Sequence, residues 1–521
     1  MPTTTTTPVT TALVTTTAGQ VAGTDDGTTA TWKGIRYAQA PVGPLRFRAP
    51  VPVAAWDGVL DATAFGPAAP QKANPSVPLA PGTVTDEDCL SLNVWRASAA
   101  PAAPLPVMVW VHGGAYAFGS SSQPLFDGST LVSTGEVLLV TVNYRIGALG
   151  FLDLSSLSDD QQTFDSNLAL RDVILALQWV QENAAAFGGD PDQVTLFGES
   201  AGGGLVTALM AVPSAAHLFH RAIAQSSPVS SMYDSARART VADRVLAELG
   251  LDASQVGRLR ELPADALVEA GSAVYAQVPA QAPGTLAFAP VVDGDLLPEH
   301  PVTVLREGRA NPVPLLIGTN KDEAALFTFM KSPLIPITEE AITTMLTDMA
   351  EQDPTLELPS REQILATYAG QHARGIGLGI AREIGFRMPT LWAAEGHAAV
   401  APTYLYRFDH STPMLKALRL GATHATELPY VWGNLHADSK DLTFALGGRG
   451  TGREVSRRMV ARWRSFATTG APTGSDDLVL WPPFDPHTRR ATMVIDRHDR
   501  VVDDLDATVR AGWGEKVLSF S

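Results

Sequence analysis

The chain has 521 residues, of which 45% are hydrophobic and 18% charged, and its net charge is −16. Such proportions exclude a disordered or collagen-like chain, and the length suits one large domain or a few ordinary ones. The acidic balance argues against a nucleic-acid or anionic-membrane partner, since both reward a basic surface.

In chain order, the Thr-rich residues 1–10 read as a disordered tail and residues 11–521 as a single domain. The tail has neither a basic n-region nor a long apolar stretch, so no secretion signal is recognised and the cytoplasm is the expected compartment. Short β-rich pieces follow, with turn signals at 23–27 and 41–44. The single cysteine, Cys89, permits no intrachain disulfide and reads as a small buried hydrophobe. From about residue 105 the pattern changes. Apolar runs of strand length at 107–111, 137–142, 194–197, 222–225 and 313–318 alternate with helical stretches. Near-continuous apolar strands are what a sheet covered on both faces requires. The spacing predicts a helix over 168–183, stopped by Gly188 and Gly189. The spans 233–270 and 324–400 read as helical insertions, and 404–408 returns to strand character. No run approaches a membrane span. The pattern is that of an α/β protein with a large, mostly parallel central sheet flanked by helices.

The residues that carry chemistry begin at 198–202, Gly-Glu-Ser-Ala-Gly, between an apolar strand and an apolar helical pattern at 205–210. A strand–turn–helix of this kind exposes the serine hydroxyl, and the turn is too tight for side chains at the flanking glycines. Ser200 is therefore a candidate nucleophile, and it needs a base and a group that orients the base. In α/β-hydrolases the chain order is Ser, acid, His. Of eleven histidines, five (His372, His397, His410, His424, His436) lie between 372 and 436. His424 is the best placed, in a small-residue loop ahead of an aromatic run. The acid should lie beyond the carboxyl end of a strand, where functional groups gather in such sheets. Asp322 and Glu323 follow the strand near 313–318, and spacing alone does not choose between them. Asp293 is a third candidate that turn formation explains adequately. Gly113, Gly114 and Ala201 offer unhindered backbone N–H groups for an oxyanion, whereas His112 reads as a loop histidine.

Several further blocks now carry a resemblance. Residues 34–38 (Gly-Ile-Arg-Tyr-Ala), 41–47 (Pro-Val-Gly-Pro-Leu-Arg-Phe), 87–95 (Glu-Asp-Cys-Leu-Ser-Leu-Asn-Val-Trp), 143–151 (Asn-Tyr-Arg-Ile-Gly-Ala-Leu-Gly-Phe) and 187–191 (Phe-Gly-Gly-Asp-Pro) stand in order around the serine motif. The chain resembles the type-B carboxylesterases, the family that includes the cholinesterases, and its bacterial p-nitrobenzyl-esterase-like members in particular. That resemblance implies the α/β-hydrolase fold and a serine esterase acting on small-molecule esters without metal or cofactor. It places the acid on Glu323 and the base on His424, with an oxyanion hole of Gly113, Gly114 and Ala201. Glu199 matches a buried acidic position expected to order the site rather than to react. Arg46 with Glu87, and Arg145 with Asp172, are implied as buried ion pairs. Glu199, Ala115, Leu428 and Tyr430 are expected near the substrate, with walls from 72–86, the two insertions and 428–432, and with Phe327, Phe329 and Met330 as either wall or core.

Two departures stand out. Ala69 occupies the position of the cysteine that would bridge to Cys89, as a reducing compartment permits. The loop 71–86 has no tryptophan to hold a quaternary ammonium, which argues against choline esters. A monomer or small homo-oligomer is expected. Carbamate, amide or lactone cleavage is the alternative reaction, because such a triad reads a carbonyl and not its leaving group. A non-catalytic member of the adhesion branch would have lost the nucleophile or the histidine, and this chain keeps both.

Overall fold

The structure, a computed structural model, describes residues 9–330, 332, 334–352, 358–369, 373–435, 442–475, 478–514 and 517–518. Residues 1–8 of the expected tail lie outside this set, and Thr10 already opens the first strand.

The strands are β1 (Thr10–Thr15), β2 (Gln20–Asp25), β3 (Thr29–Arg36), β4 (Val59–Asp61), β5 (Ser91–Ala97), β6 (Leu105–Val111), β7 (Leu138–Val142), β8 (Gly189–Glu199), β9 (Arg221–Gln225), β10 (Tyr233–Asp234), β11 (Val291–Val292), β12 (Leu315–Asn320), β13 (Thr403–Phe408), β14 (Ala491–Ile495) and β15 (Arg500–Asp503). Thirteen of them form one sheet in the order β1-β2-β3-β5-β7-β6-β8-β9-β12-β13-β14-β15, with β4 beside β2. From β7 to β14 every neighbouring pair is parallel, while the strands before β7 and the last pair, β14 with β15, are antiparallel except for β4 on β2. Parallel neighbours need crossovers, and the helices that make them cover the two faces.

The period-two geometry of a strand divides the core. In β6, Val107, Val109 and Val111 pack into one cluster, and Met108 and Trp110 into the other. In β12, Leu315 and Ile317 join the first cluster and Leu316 the second. The first is closed by the helix Leu168–Asn183, on the boundaries its spacing predicts, and by Ala201–Met210. The second is closed by Arg449–Thr469 through Val455, Met459, Trp463 and Phe466.

The region near 233–270 folds as Ser235–Glu248, a 3-10 segment Ala253–Arg260 and the start of Ala264–Gln281. Arg46 fastens it to the N-terminal strands. Its guanidinium donates to both Glu87 carboxylate oxygens, at 2.7 and 2.5 Å, and to the carbonyls of Leu259 and Leu262. Arg145 likewise donates to both oxygens of Asp172, at 2.8 and 2.6 Å, with both side chains buried. Cys89 is a buried free thiol, and burial pushes its ionisation well above the usual range.

Candidate active site

The carboxyl ends of β8, β12 and β13 assemble the site, and β9 lies between β8 and β12. After β8 the chain turns sharply into Ala201–Met210, with Ser200 at φ 55° and ψ −125°, a strained conformation for a residue with a side chain. The close approach is paid for by glycine: a Cβ on Gly202 would stand 2.0 Å from the Val111 carbonyl oxygen, and one on Gly198 2.6 Å from the Gly202 carbonyl carbon.

Ser200 Oγ lies 2.8 Å from His424 Nε2, and His424 Nδ1 lies 2.7 Å from Glu323 Oε2. Of the acid candidates the geometry thus brings Glu323 to the imidazole. Its other oxygen, Oε1, accepts from Ser226 Oγ and from the Asn320 N–H, both at 2.6 Å. Asp322 instead exchanges hydrogen bonds with the Ala422 backbone and so braces the His424 loop. Asp293 holds a turn, accepting from Ser166, Asn167 and the N–H groups of Asp295 and Leu297. Among the other histidines, His397 is bound to the Val313 carbonyl and His410 faces Asp496 at 3.7 Å, while His372 and His436 lie outside the described residues. His112 is buried and stacked on Tyr144, and burial lowers its pKa to about 4, so it is neutral.

Glu199 is buried, with Oε1 3.3 Å from His424 Nε2. Burial raises its pKa to about 8, with Glu427 and Glu323 adding to the rise and His424 opposing it. For His424 burial opposes the charged imidazolium, but Glu199 and Glu323 outweigh it and raise the pKa to about 9. Glu427, fully buried, accepts from Gln225 Nε2 and Asn320 Nδ2, and Trp463 Nε1 donates to the Gln225 amide oxygen. Ser226, Gln225 and Glu427 escaped the sequence reading. Nothing in their local patterns marks them, although Glu427 stands three residues beyond His424.

The backbone N–H groups of Gly113, Gly114, Ala115 and Ala201 meet no protein acceptor among the described residues. Ala115 and Ala201 line, with Ser200, a pocket open at its mouth. None of its described lining residues carries a charge at neutral pH. Its apolar walls come largely from 327–386, including Phe327, Ile335, Met345, Ile380, Ile384 and Phe386. The rings of Phe327 and Phe386 stand 5.2 and 4.9 Å from that of His424.

The expected wall needs correction elsewhere. Leu428 and Tyr430 do not line this pocket: both are buried in the second core cluster, where Tyr430 packs on Phe408 and His410. The helix Leu428–Trp432 turns its apolar side toward Arg449–Thr469, and none of its residues lines the Ser200 pocket. Glu199 stands beside the imidazole rather than in the described wall, and neither 72–86 nor 233–270 contributes to that wall. Lys72 and Val268 instead meet at a separate cavity with Ala117 and Phe118. Phe327 lines the pocket, whereas Phe329 and Met330 are exposed and outside it.

A large parallel sheet with its reactive side chains beyond the strand ends defines an α/β-hydrolase. More narrowly, the model of the carboxylesterase family matches residues 10–512, and the chain belongs to that family and is a carboxylic-ester hydrolase. It is 38% identical over 502 residues to a para-nitrobenzyl esterase of Bacillus subtilis (strain 168), covering 96% of this chain and 97% of that one. It is 32% identical over 501 residues to a phenmedipham hydrolase of Pseudarthrobacter oxydans, covering 94% and 96%. A solved PNB esterase superposes with a TM-score of 0.84 at 37% identity, covering 97% of this chain and 100% of its own. Among the described residues no helix is long and apolar enough to cross a membrane.

Proposed function

We propose that the protein is a serine carboxylesterase that works through an acyl-enzyme on neutral small-molecule esters. The observation that carries this reading is the unbroken run of contacts Ser200–His424–Glu323, whose serine lines an uncharged pocket. Ser200 Oγ attacks the ester carbonyl as His424 Nε2 takes its proton, and Glu323 holds the imidazole tautomer and stabilises the imidazolium. The C–O bond to the alcohol then breaks, and the alcohol leaves with the proton from His424. Water, deprotonated by the same imidazole, attacks the acyl-serine and releases the carboxylic acid.

The tetrahedral oxyanion is held by backbone N–H groups. Gly113, Gly114 and Ala201 were expected, and Ala115 joins them because its N–H is equally free and it borders the pocket beside Ser200. Each such donor is worth ~3–4 kcal/mol in the transition state.

The test is initial rates on p-nitrophenyl esters from acetyl to palmitoyl, with Ser200→Ala in parallel. The variant should lose activity by roughly a thousandfold or more. A Ser200→Ala protein matching wild type would sink the mechanism. Carbamate, amide and lactone carbonyls fit the same machinery, and a matched carbamate turned over faster than its ester would shift the assignment to that reaction.

A further inference from the structure

Between the helices Ala373–Arg382 and Met388–His397 the chain makes one turn of π-helix, Glu383–Arg387, closed by the Met388 N–H on the Glu383 carbonyl. Such turns are rare and concentrate at functional sites. A regular helix spreads three successive residues over ~200°. Here Ile384, Gly385 and Phe386 all border the same pocket as Ser200.

Gly385 differs from the glycines just before it. A Cβ on Gly377 would stand 2.0 Å from the Ile337 carbonyl oxygen, and one on Gly379 2.5 Å from the Tyr368 ring. Those two glycines are needed for close packing. Among the described residues a Cβ on Gly385 would meet only Ile335 Cδ1, at 3.8 Å, an ordinary contact with another lining residue. Its backbone is not in the left-handed region either. Neither conformation nor packing requires glycine there, and a helix interior disfavours it. What the missing side chain provides is room in the pocket.

We propose that Gly385 sets the width of the substrate pocket, leaving beside Ile335 the space that receives the bulky apolar part, aryl or branched, of a neutral ester. This rests on the pocket at Ser200 being the substrate site. A side chain at this position removes space from bulky substrates and leaves small ones room to bind. In an apolar pocket one methylene is worth roughly 10–200-fold in kcat/KM.

The experiment compares wild type, Gly385→Ala and Gly385→Val on two matched pairs: p-nitrophenyl acetate against p-nitrophenyl benzoate for the acyl side, and methyl acetate against 1-naphthyl acetate for the alcohol side. In at least one pair the bulky-to-small ratio of kcat/KM should fall in graded steps, reaching roughly 10–200-fold with valine. Adding Ile335→Ala to Gly385→Val should recover much of that ratio, which a merely destabilised enzyme would not do. Ratios unchanged in both pairs, or an equal loss on small and bulky esters, overturn the proposal. Wild-type turnover that survives Ser200→Ala overturns instead the reaction on which it rests.

Discussion

His424 is held between two carboxylates, Glu323 on Nδ1 at 2.7 Å and Glu199 near Nε2 at 3.3 Å, and its pH behaviour follows from both. In the proposed mechanism the imidazole must be neutral to accept the Ser200 proton, so kcat/KM should rise with pH as His424 loses a proton whose pKa is raised to about 9. The charge on Glu199 is one source of that rise. Glu199→Gln removes the charge, so the imidazolium loses support and the acid limb should move to lower pH. A pH–rate profile from about pH 5 to 10 on one ester, wild type against Glu199→Gln, checks this. A midpoint that stays put or moves up would show that Glu199 does not act on His424 through charge. Ser226 and Asn320 act at one remove, fixing the oxygen of Glu323 that does not face the imidazole. Ser226→Ala should therefore lower kcat with little change in KM, measured on the same ester, because it loosens the orienting group and leaves the pocket wall untouched.

The turn between β8 and Ala201–Met210 is the element that presents Ser200, the proposed nucleophile, and its geometry depends on how closely it lies against the end of β6. Gly202 sits so near the Val111 carbonyl that no side chain fits without moving the backbone. Gly202→Ala should cost about 1–3 kcal/mol through overpacking and should lower activity more than stability, because the shift displaces Ser200 and the Ala201 N–H together. Urea unfolding beside esterase rates would show it, and an alanine variant equal to wild type in both would contradict the close approach. The π-turn makes the opposite use of glycine. There, as proposed for Gly385, the missing side chain leaves room in the pocket, so the same residue type would serve backbone contact in one element and pocket volume in the other.

At the scale of the molecule, the parallel strands gather Ser200, Glu323 and His424 at one edge, while buried ion pairs hold the long loops against the sheet. Arg145 and Asp172 are nearly inaccessible, at 4% and 0% side-chain exposure, so removing one leaves the charge of the other buried and uncompensated. Asp172→Ala should cost ~3–5 kcal/mol in chemical denaturation, and replacing both residues with apolar ones of similar volume should cost less. A single substitution that costs no more than the double would show that the uncompensated buried charge is not what destabilises the protein. The chain carries a net charge of −16, yet no described residue lining the pocket is charged at neutral pH. Neutral esters fit that division.

The sequence by itself determined what local pattern can carry. Apolar runs near 107–111, 194–197, 313–318 and 404–408 became β6, β8, β12 and β13, because a doubly covered parallel strand must be apolar on both sides. The serine turn was legible because its glycines are a steric requirement of the turn itself. Spacing alone did not choose between Asp322 and Glu323: the family resemblance pointed to Glu323, and it is the fold that brings its carboxylate to the ring of His424, 101 positions away. The segment 428–432 reads as apolar and aromatic whether it faces substrate or core, and the packing of Arg449–Thr469 decided for the core. Ser226, Gln225, Glu427 and the Gly385 wall belong to the same class. Their roles are fixed by distances between elements far apart in the chain, which only the tertiary structure brings together.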